Sequence, residues 1–176
     1  ALVDLIRTPS EHAVLVEAAL GGSIQSLVLE HAGRLPSREE LERLPGRVTF
    51  VPARGGPGAE PVKSGDRLLE MLSGRVRAVR SLVEASAETR AHVEPVLDRL
   101  LGTTFAVDTL ETASLLAAGP MAGCRFVTSD GSVLEADGRV LAGPISSGAE
   151  GTGVLARKNE LEQLTQEVAS LRDRAA

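Results

Sequence analysis

The sequence has 176 residues, of which 43% are apolar and 24% charged, and its formal net charge is −5. This is the composition of a globular protein, and a chain of this length buries roughly 70% of the surface that its unfolded form exposes. Aromatic residues make up only 2%, with three Phe and neither Trp nor Tyr, which argues against stacking platforms for single-stranded nucleic acid and against aromatic cages. The negative net charge requires any nucleic-acid contact to come from a local basic patch.

Residues with metal-binding or redox chemistry are few and scattered. Cys124 is the one cysteine, which excludes an internal disulfide and a Cys-x-x-Cys motif and favours a reducing compartment. The histidines His12, His31 and His92 lie far apart in the sequence, so we predict no metal and no cofactor. Charged residues, Gly or Pro interrupt every long apolar run, and the first residues show no signal-peptide pattern, so no membrane contact is expected.

An internal duplication organises the chain. Residues 16–32 and residues 97–113 align without gaps, with an acidic residue, a Leu-Gly pair, a hydroxyl residue and a Glu-x-Ala sequence at matching positions. A short apolar run precedes each copy and an Arg-led β-branched run follows it: residues 2–6 and 47–51 for the first copy, residues 79–83 and 125–129 for the second. Each copy therefore predicts the order strand, helix, strand, helix, strand, and together they predict two similar lobes with mixed α/β sheets.

Local signals refine the first lobe. Ser10 is predicted to cap a helix that Gly21 ends with a positive φ angle, and Ser37 with Glu40 forms a capping-box sequence at the start of a short helix. Residues 53–66 are rich in Gly and Pro, which predicts a surface loop. A helical pattern returns at residues 67–72. We place the first lobe at residues 1–74, the second at residues 75–153 and a final helical segment at residues 154–176.

The second lobe ends in turn-punctuated apolar runs. Asp130-Gly131 and Asp137-Gly138 separate three such runs, and Asp-Gly between apolar runs predicts two-residue type I′ hairpins and hence a three-stranded meander. Gly143, Gly148, Gly151 and Gly153 follow, where the backbone of a partner has room to approach. A flexible linker is the alternative interpretation of these glycines.

From residue 154 onwards the apolar spacing changes to that of a helix. Apolar residues recur one heptad apart and then three, four and three residues apart, at Val154, Leu161, Leu164, Val168 and Leu171. These five residues, the seam, predict either an amphipathic helix on the domain or the first turns of a coiled coil. The chain begins without Met and stops inside this pattern, which indicates a segment of a longer protein and favours the coiled coil. We expect the helix to leave the second lobe directly, with a partner helix arriving near the N-terminus.

With these features placed, the sequence resembles the hinge domain of the structural maintenance of chromosomes (SMC) family along nearly its whole length. The matching runs are LVDLI at residues 2–6, ALG at residues 19–21, GRVTFVP at residues 46–52, LGTTFAVDTLETA at residues 101–113, RFVTSDG at residues 125–131, residues 138–143, and LARKNE at residues 155–160. One departure is Gly143-Pro144, where the family usually has two adjacent glycines. Pro144 lacks an N–H, so it is compatible only with a strand end.

The resemblance implies a dimerisation hinge that joins two antiparallel coiled-coil arms in a chromosome condensation and segregation complex. It implies a second SMC hinge as partner, with a homodimer favoured, in a bacterial member of the family located in the cytoplasm at the nucleoid. ATP and the kleisin subunit would bind to parts of the full-length protein outside this chain, and the hinge itself would have no catalytic activity.

The candidate site residues fall into two further groups. The dimer interface is predicted at the last hairpin and the glycines after it: Gly138, Arg139, Val140, Leu141, Gly143 and Gly148. Weak, sequence-independent DNA binding is predicted at two basic runs, whose residues alternatively only solvate a helix end: Arg75, Arg77, Arg80, Arg157 and Lys158.

Two other classes of function compete with the hinge. A small α/β enzyme with a glycine-rich active-site loop is the main alternative, but Gly-x-Ser-x-Gly, Gly-x-Gly-x-x-Gly and paired Cys/His motifs are absent from the sequence. A free-standing nucleic-acid-binding domain is opposed by the net charge and by the scarcity of aromatic residues.

Overall fold

The computed structural model describes residues 1–54, 76–143 and 153–175. The first lobe contains α1 (Leu2–Leu5), β1 (Ile6–Arg7), α2 (Ala13–Leu20), β2 (Leu27–His31), α3 (Arg38–Glu42) and β3 (Phe50–Arg54). The second lobe contains β4 (Val76–Ala78), β5 (Glu84–Ala85), α4 (Arg90–Leu101), β6 (Thr104–Val107), α5 (Leu110–Ala117), β7 (Arg125–Thr128), β8 (Val133–Leu134) and β9 (Val140–Leu141). The terminal helix is α6 (Val154–Ala175).

The strands form three sheets, and two of them contain the same arrangement of strands and helices. In each lobe two parallel strands are joined through a helix, β2 with β3 and β6 with β7, and a longer helix precedes them. The second pair lies within a five-stranded sheet of order β4-β6-β7-β8-β9, so the predicted meander of β7, β8 and β9 is confirmed. A small antiparallel sheet links the lobes, in which Ile6 of β1 faces Ala85 of β5 and Arg7 faces Glu84. The mixed α/β class and the duplicated plan are therefore confirmed.

The apolar runs that open each copy are not strands, contrary to the prediction. Residues 2–5 form α1, and Val79–Leu82 forms a 3₁₀ turn, so only the two-residue strands β1 and β5 remain. Leu2, Val3 and Ile6 are buried while Asp4 between them is exposed. A spacing of one and four residues places side chains on the same side of a helical turn, whereas a strand would alternate them. Residues 2–5 are therefore helical because the tertiary contacts bury Leu2, Val3 and Ile6 together, which an extended strand would not allow.

The predicted ends of the helices are partly correct. Ser37 and Glu40 form the capping box: the Ser37 N–H donates to Glu40 Oε2 at 2.8 Å, and the Glu40 N–H donates to Ser37 Oγ at 3.4 Å. Gly21 ends α2 with φ +50°, as predicted. The Ser10 cap is wrong, because Ser10 begins a 3₁₀ turn (Ser10–His12) and its side chain makes no cap hydrogen bond to α2.

Both Asp-Gly hairpins form, but with longer loops than predicted. In the first, the Gly131 N–H donates to the Thr128 carbonyl, and Gly131 has φ +84°. Gly138 repeats this pattern with φ +87°, so each loop has three residues with glycine last, rather than the two of a type I′ turn. The aspartate before each glycine accepts a backbone N–H two residues on, from Ser132 to Asp130 at 3.2 Å and from Arg139 to Asp137 at 3.1 Å.

These hydrogen bonds also explain two perturbed carboxyl groups. The Thr128 hydroxyl, followed by the Ser132 N–H, lowers the pKa of Asp130. The Arg139 N–H, followed by the Arg139 side chain, lowers the pKa of Asp137. Both aspartates therefore hold their turns as carboxylates.

The two lobes share one core. The larger apolar cluster joins α1 and α2 of the first lobe to α4 and β7 of the second, and it includes Val16, Leu97 and Val127, all fully buried. A smaller cluster in the second lobe packs β6 and β7 against α5 around Phe126. The predicted boundary near residue 75, the rest of the loop after Arg54 and the predicted helix at residues 67–72 lie outside the described residues.

Candidate functional site

The terminal helix is rooted in the first lobe, although it follows the second lobe in the sequence. Leu155, in its first turn, is fully buried in the shared core, and Val154 is half-buried against it. The expectation that this helix leaves the second lobe directly is therefore wrong. Burial of Leu155 in this core, with α6 packed against α2 of the first lobe, fixes the exit point.

A buried carboxylate caps the N-terminus of α6. Glu17, on α2, is only 4% exposed, and its side chain accepts the backbone N–H groups of Gly153, Leu155 and Ala156, the last at 3.2 Å. The first N–H groups of a helix have no partner within the helix and carry partial positive charge, so a carboxylate is a favourable cap. The sequence showed Glu17 only as an acidic residue interrupting an apolar helix, and that interruption was the available signal of its role.

Two polar side chains of α6 bind the start of the chain. The Lys158 ammonium donates to the carbonyls of Val3 and Ile6, both at 2.9 Å, and Asn159 Nδ2 donates to the Thr8 carbonyl at 3.0 Å. The last carbonyls of a helix lack N–H donors within the helix, and the Lys158 ammonium donates hydrogen bonds to two such carbonyls at the end of α1. This ammonium, predicted to contact DNA, is directed into the protein.

Beyond this root, α6 presents an apolar stripe to solvent. The seam residues Leu161, Leu164, Val168 and Leu171 are between 47% and 65% exposed, while the fifth, Val154, belongs to the root. A groove of about 650 Å³ runs beside the first of them, lined by residues of α1, β1 and α6 that include Val3, Arg7, Arg157 and Leu161. An exposed heptad stripe of this kind is the surface that a coiled-coil partner covers.

The last strand of the five-stranded sheet is a second apolar surface. β9 pairs with β8 along one edge, with Leu141 facing Val133 and Val140 facing Leu134, and among the described strands it is the last of the sheet. Val140 is 55% and Leu141 52% exposed. Gly143 follows with φ +129°, a conformation that side chains disfavour. Gly138 and Arg139 lie in the turn before β9, where the Arg139 side chain pairs with Asp137 at 2.8 Å, and the predicted interface residue Gly148 lies outside the described residues.

The predicted basic residues have different surroundings. Arg80 is engaged by Asp98 at 2.5 Å and by the Val83 carbonyl at 3.0 Å. Arg77 lies 3.5 Å from the imidazole Nε2 of His12. Arg75 lies outside the described residues.

Arg7, which the sequence interpretation missed, connects the remaining basic groups. It lines the groove beside α6 together with Arg157, and it also lines a smaller cavity of about 330 Å³ together with His12. Arg157, Arg7, His12 and Arg77 therefore follow one another along the surface. The basic path that these four residues define is interrupted by acidic neighbours, among them Asp4 in the larger groove.

The described residues offer no catalytic or metal-binding arrangement. No group of three or more His, Cys, Asp or Glu side chains in the described part of the chain is placed to hold a metal ion. Partial burial raises the pKa of the Cys124 thiol, which leaves it a weak nucleophile. A helix both long and apolar enough to cross a membrane is also absent from the residues that the structure covers. The alternative of a small enzyme has no observation in its favour among the described residues.

Two duplicated lobes with a common core, an apolar last strand in the described part of the sheet and a terminal helix rooted in that core are the features expected of a protein-interaction module. Residues 1–117 match the family model described as SMC proteins Flexible Hinge Domain, and the chain belongs to this family. The resemblance seen in the sequence is thus confirmed.

Curated relatives carry the name Chromosome partition protein Smc. The protein from Rhodopirellula baltica is 31% identical over 170 residues, which cover 95% of this chain and 13% of the relative. The protein from Bacillus subtilis is 27% identical over 182 residues, which cover 100% of this chain and 14% of the relative. The chain thus spans about one seventh of the length of these relatives.

Solved structures show the same fold. An asymmetric dimer of the Geobacillus stearothermophilus SMC hinge domain matches with a TM-score of 0.77 and 27% identity, covering 99% of this chain and 68% of that chain. The Pyrococcus furiosus Smc hinge domain with an extended coiled coil matches with a TM-score of 0.60 and 24% identity, covering 98% of this chain and 64% of that chain.

Proposed function

We propose that this chain is the dimerisation hinge of a bacterial SMC complex for chromosome condensation and segregation, acting in the cytoplasm at the nucleoid. The observation that carries the proposal is the edge of β9, which pairs with no second strand among the described residues, together with its two exposed apolar side chains, Val140 and Leu141. Exposed apolar sheet edges attract further strands, so proteins that keep such an edge generally use it for pairing. The partner is a second copy of this chain.

The interface would form by strand addition at this edge. Backbone N–H and C=O groups on the open side of β9 pair with a strand of the partner, and Val140 and Leu141 pack on either side of the joined sheet. Gly138 and Gly143 flank the strand without side-chain bulk. Gly148, the remaining residue of the proposed interface, lies outside the described residues.

We expect the chain to behave in solution as a dimer. Multi-angle light scattering should give twice the chain mass of 18.4 kDa, and dilution should shift the mass toward that of one chain. A mass of one chain at every concentration up to the millimolar range would contradict the proposed function.

The exposed seam supports the arm part of the proposal. The helix of the longer protein that precedes residue 1 would lie antiparallel to α6 and cover Leu161, Leu164, Val168 and Leu171. Its end would continue into α1, because residues 2–5 are already helical. Lys158 would then bind the carbonyls at the end of the incoming arm.

Adding the preceding arm segment is expected to raise helix content and thermal stability. The gain should come from burial of the seam, so Leu164→Asp should remove most of it in the longer chain. Ser170→Asp, which adds the same charge at an exposed position outside the seam, is the control. Circular dichroism during thermal unfolding measures both effects, and equal losses in the two variants would count against an arm helix on the seam.

The basic path supports weak, sequence-independent DNA binding as a second role. Arg7 lines both cavities, one with Arg157 near the arm root and one with His12, and Arg77 lies beside His12, so Arg7 joins the two predicted basic runs. With two to four phosphate contacts, log K should fall against log salt with a slope of roughly −2 to −4.

Arg7→Ala is expected to weaken DNA binding at low salt and to reduce this slope by about one. Arg38→Ala is the matched control, because Arg38 is an exposed arginine on α3 with an ion pair to Glu42 at 2.9 Å. Fluorescence anisotropy with a random-sequence duplex measures both affinities. Equal affinities for the two variants would remove the basic path as the DNA contact.

A further inference from the structure

Glu17 makes the position of α2 depend on the position of α6. Its carboxylate is buried, and the donors assigned to it in the described part of the chain are backbone N–H groups at the start of α6. A buried carboxylate is costly unless its hydrogen bonds are made. If α6 tilts or withdraws, Glu17 loses these donors, and the last turns of α2 must move to bring the carboxylate to water.

The same turn of α2 is held from the second lobe. Two residues after Glu17, the Ala19 carbonyl accepts a hydrogen bond from an Arg125 guanidinium nitrogen. Arg125 begins β7 and is mostly buried, with 22% of its side chain exposed. Movement of the end of α2 therefore acts directly on Arg125.

Arg125 in turn holds the base of the last hairpin. Its second terminal nitrogen donates to Glu135 Oε1 at 2.9 Å, and Glu135 is equally buried. Glu135 closes the loop into β9: its N–H donates to the Arg139 carbonyl at 2.8 Å, and its carbonyl accepts the Gly138 N–H at 2.9 Å. The hydrogen-bonded chain thus runs from the arm root to the edge strand.

We infer that Glu17, Arg125 and Glu135 form a coupling link that transmits the position of the arm helix to the edge strand β9. The inference rests on the proposed function, since it connects the proposed arm to the proposed dimer edge. Each contact joins a different element, namely α6 to α2, α2 to β7, and β7 to the β8–β9 loop. Loss of the cap at α6 therefore loosens the loop before β9, at the far end of the link.

Hydrogen exchange read by mass spectrometry or NMR tests this link. Glu17→Gln leaves one acceptor oxygen and places an NH₂ group against backbone donors, so the first amides of α6 should exchange roughly fivefold faster, the effect of one lost hydrogen bond. The amides of Glu135 and Gly138 should accelerate as well, while those of β6, an interior strand of the same sheet, stay unchanged. Glu30→Gln, the same change at an exposed position on β2, should alter none of them.

The variant Arg125→Met separates a link from general loosening. In this background, Glu17→Gln should still accelerate the α6 amides but should no longer change those of Glu135 and Gly138. If Glu17→Gln instead destabilises the whole fold, faster exchange of the β6 amides will reveal it. In that case Lys158→Gln is the substitute, because it loosens α6 from α1 and leaves Glu17 in place. Faster exchange at Glu135 and Gly138 is expected again.

Two outcomes would overturn the inference. One is faster exchange at α6 with an unchanged hairpin, and the other is hairpin acceleration that persists without Arg125. Light scattering on the same samples distinguishes this failure from failure of the proposed function. If the hairpin amides exchange at an unchanged rate in a protein that is dimeric, only the link is refuted. If the wild-type chain is monomeric, the dimer hinge is refuted.

Discussion

Replacing Leu141 with lysine is expected to convert the dimer into monomers. Leu141 is half-exposed in the isolated chain and would be covered when a partner strand pairs with β9, so a lysine there brings an unpaired charge into the interface. A cost of about 3 kcal/mol weakens association about 100-fold. Light scattering at micromolar concentration should then give the mass of one chain.

Leu115→Lys is the matched control for this substitution. Leu115 is more exposed, at 76%, and lies on α5 rather than on β9, so its replacement should leave the dimer intact. Gly143→Glu is a second test at the other end of the strand. Because Gly143 has a positive φ, Gly143→Ala is needed beside it to separate backbone strain from charge. A dimer that survives both Leu141→Lys and Gly143→Glu would place the interface elsewhere.

Phe126→Ala is expected to cause the largest loss of stability. Phe126 is fully buried at the centre of the smaller cluster, and its ring centroid lies 6.2 Å from that of Phe105. Truncation of such a side chain costs about 3–5 kcal/mol, out of the roughly 5–15 kcal/mol that hold a typical domain together. Urea unfolding followed by circular dichroism should show a much lower midpoint, and Leu115→Ala should leave the midpoint nearly unchanged.

The same experiment tests whether the lobes unfold together. Val127, the next residue of β7, is buried in the core that both lobes share, so loss of the smaller cluster also loosens the larger one. We therefore expect a single cooperative unfolding transition in the wild-type protein and in the Phe126→Ala variant. Two separate transitions would mean that the lobes are independent folding units.

The sequence predicted best those features that are encoded over a few neighbouring residues. The Ser37 capping box, the positive φ of Gly21 and the two Asp-Gly hairpins all depend on local backbone chemistry, and each formed, although the hairpin loops are longer than predicted. The duplication was also visible, because it preserves residue types at fixed spacing.

Features set by distant contacts were not predictable in this way. The helical form of residues 2–5 and the root of α6 in the first lobe both follow from burial in a core that the whole chain builds. Glu17 and Leu155 are 138 positions apart, so no local pattern indicates that one caps the helix containing the other. Only the presence of a charge within an apolar helix hinted at a role for Glu17.

The small sheet formed by β1 and β5 joins the starts of the two copies by an antiparallel pair, which has local twofold symmetry. The first residue of each strand faces the second residue of the other, Ile6 with Ala85 and Arg7 with Glu84, which is the arrangement found where two identical subunits meet. If the two strands were identical, the residue facing Arg7 would be a second copy of Ile6, and the other arginine would face Ile6 in the same way. Within a single chain the two strands carry different residues, so Arg7 can stand opposite Glu84 and residues of opposite charge meet where the two copies join.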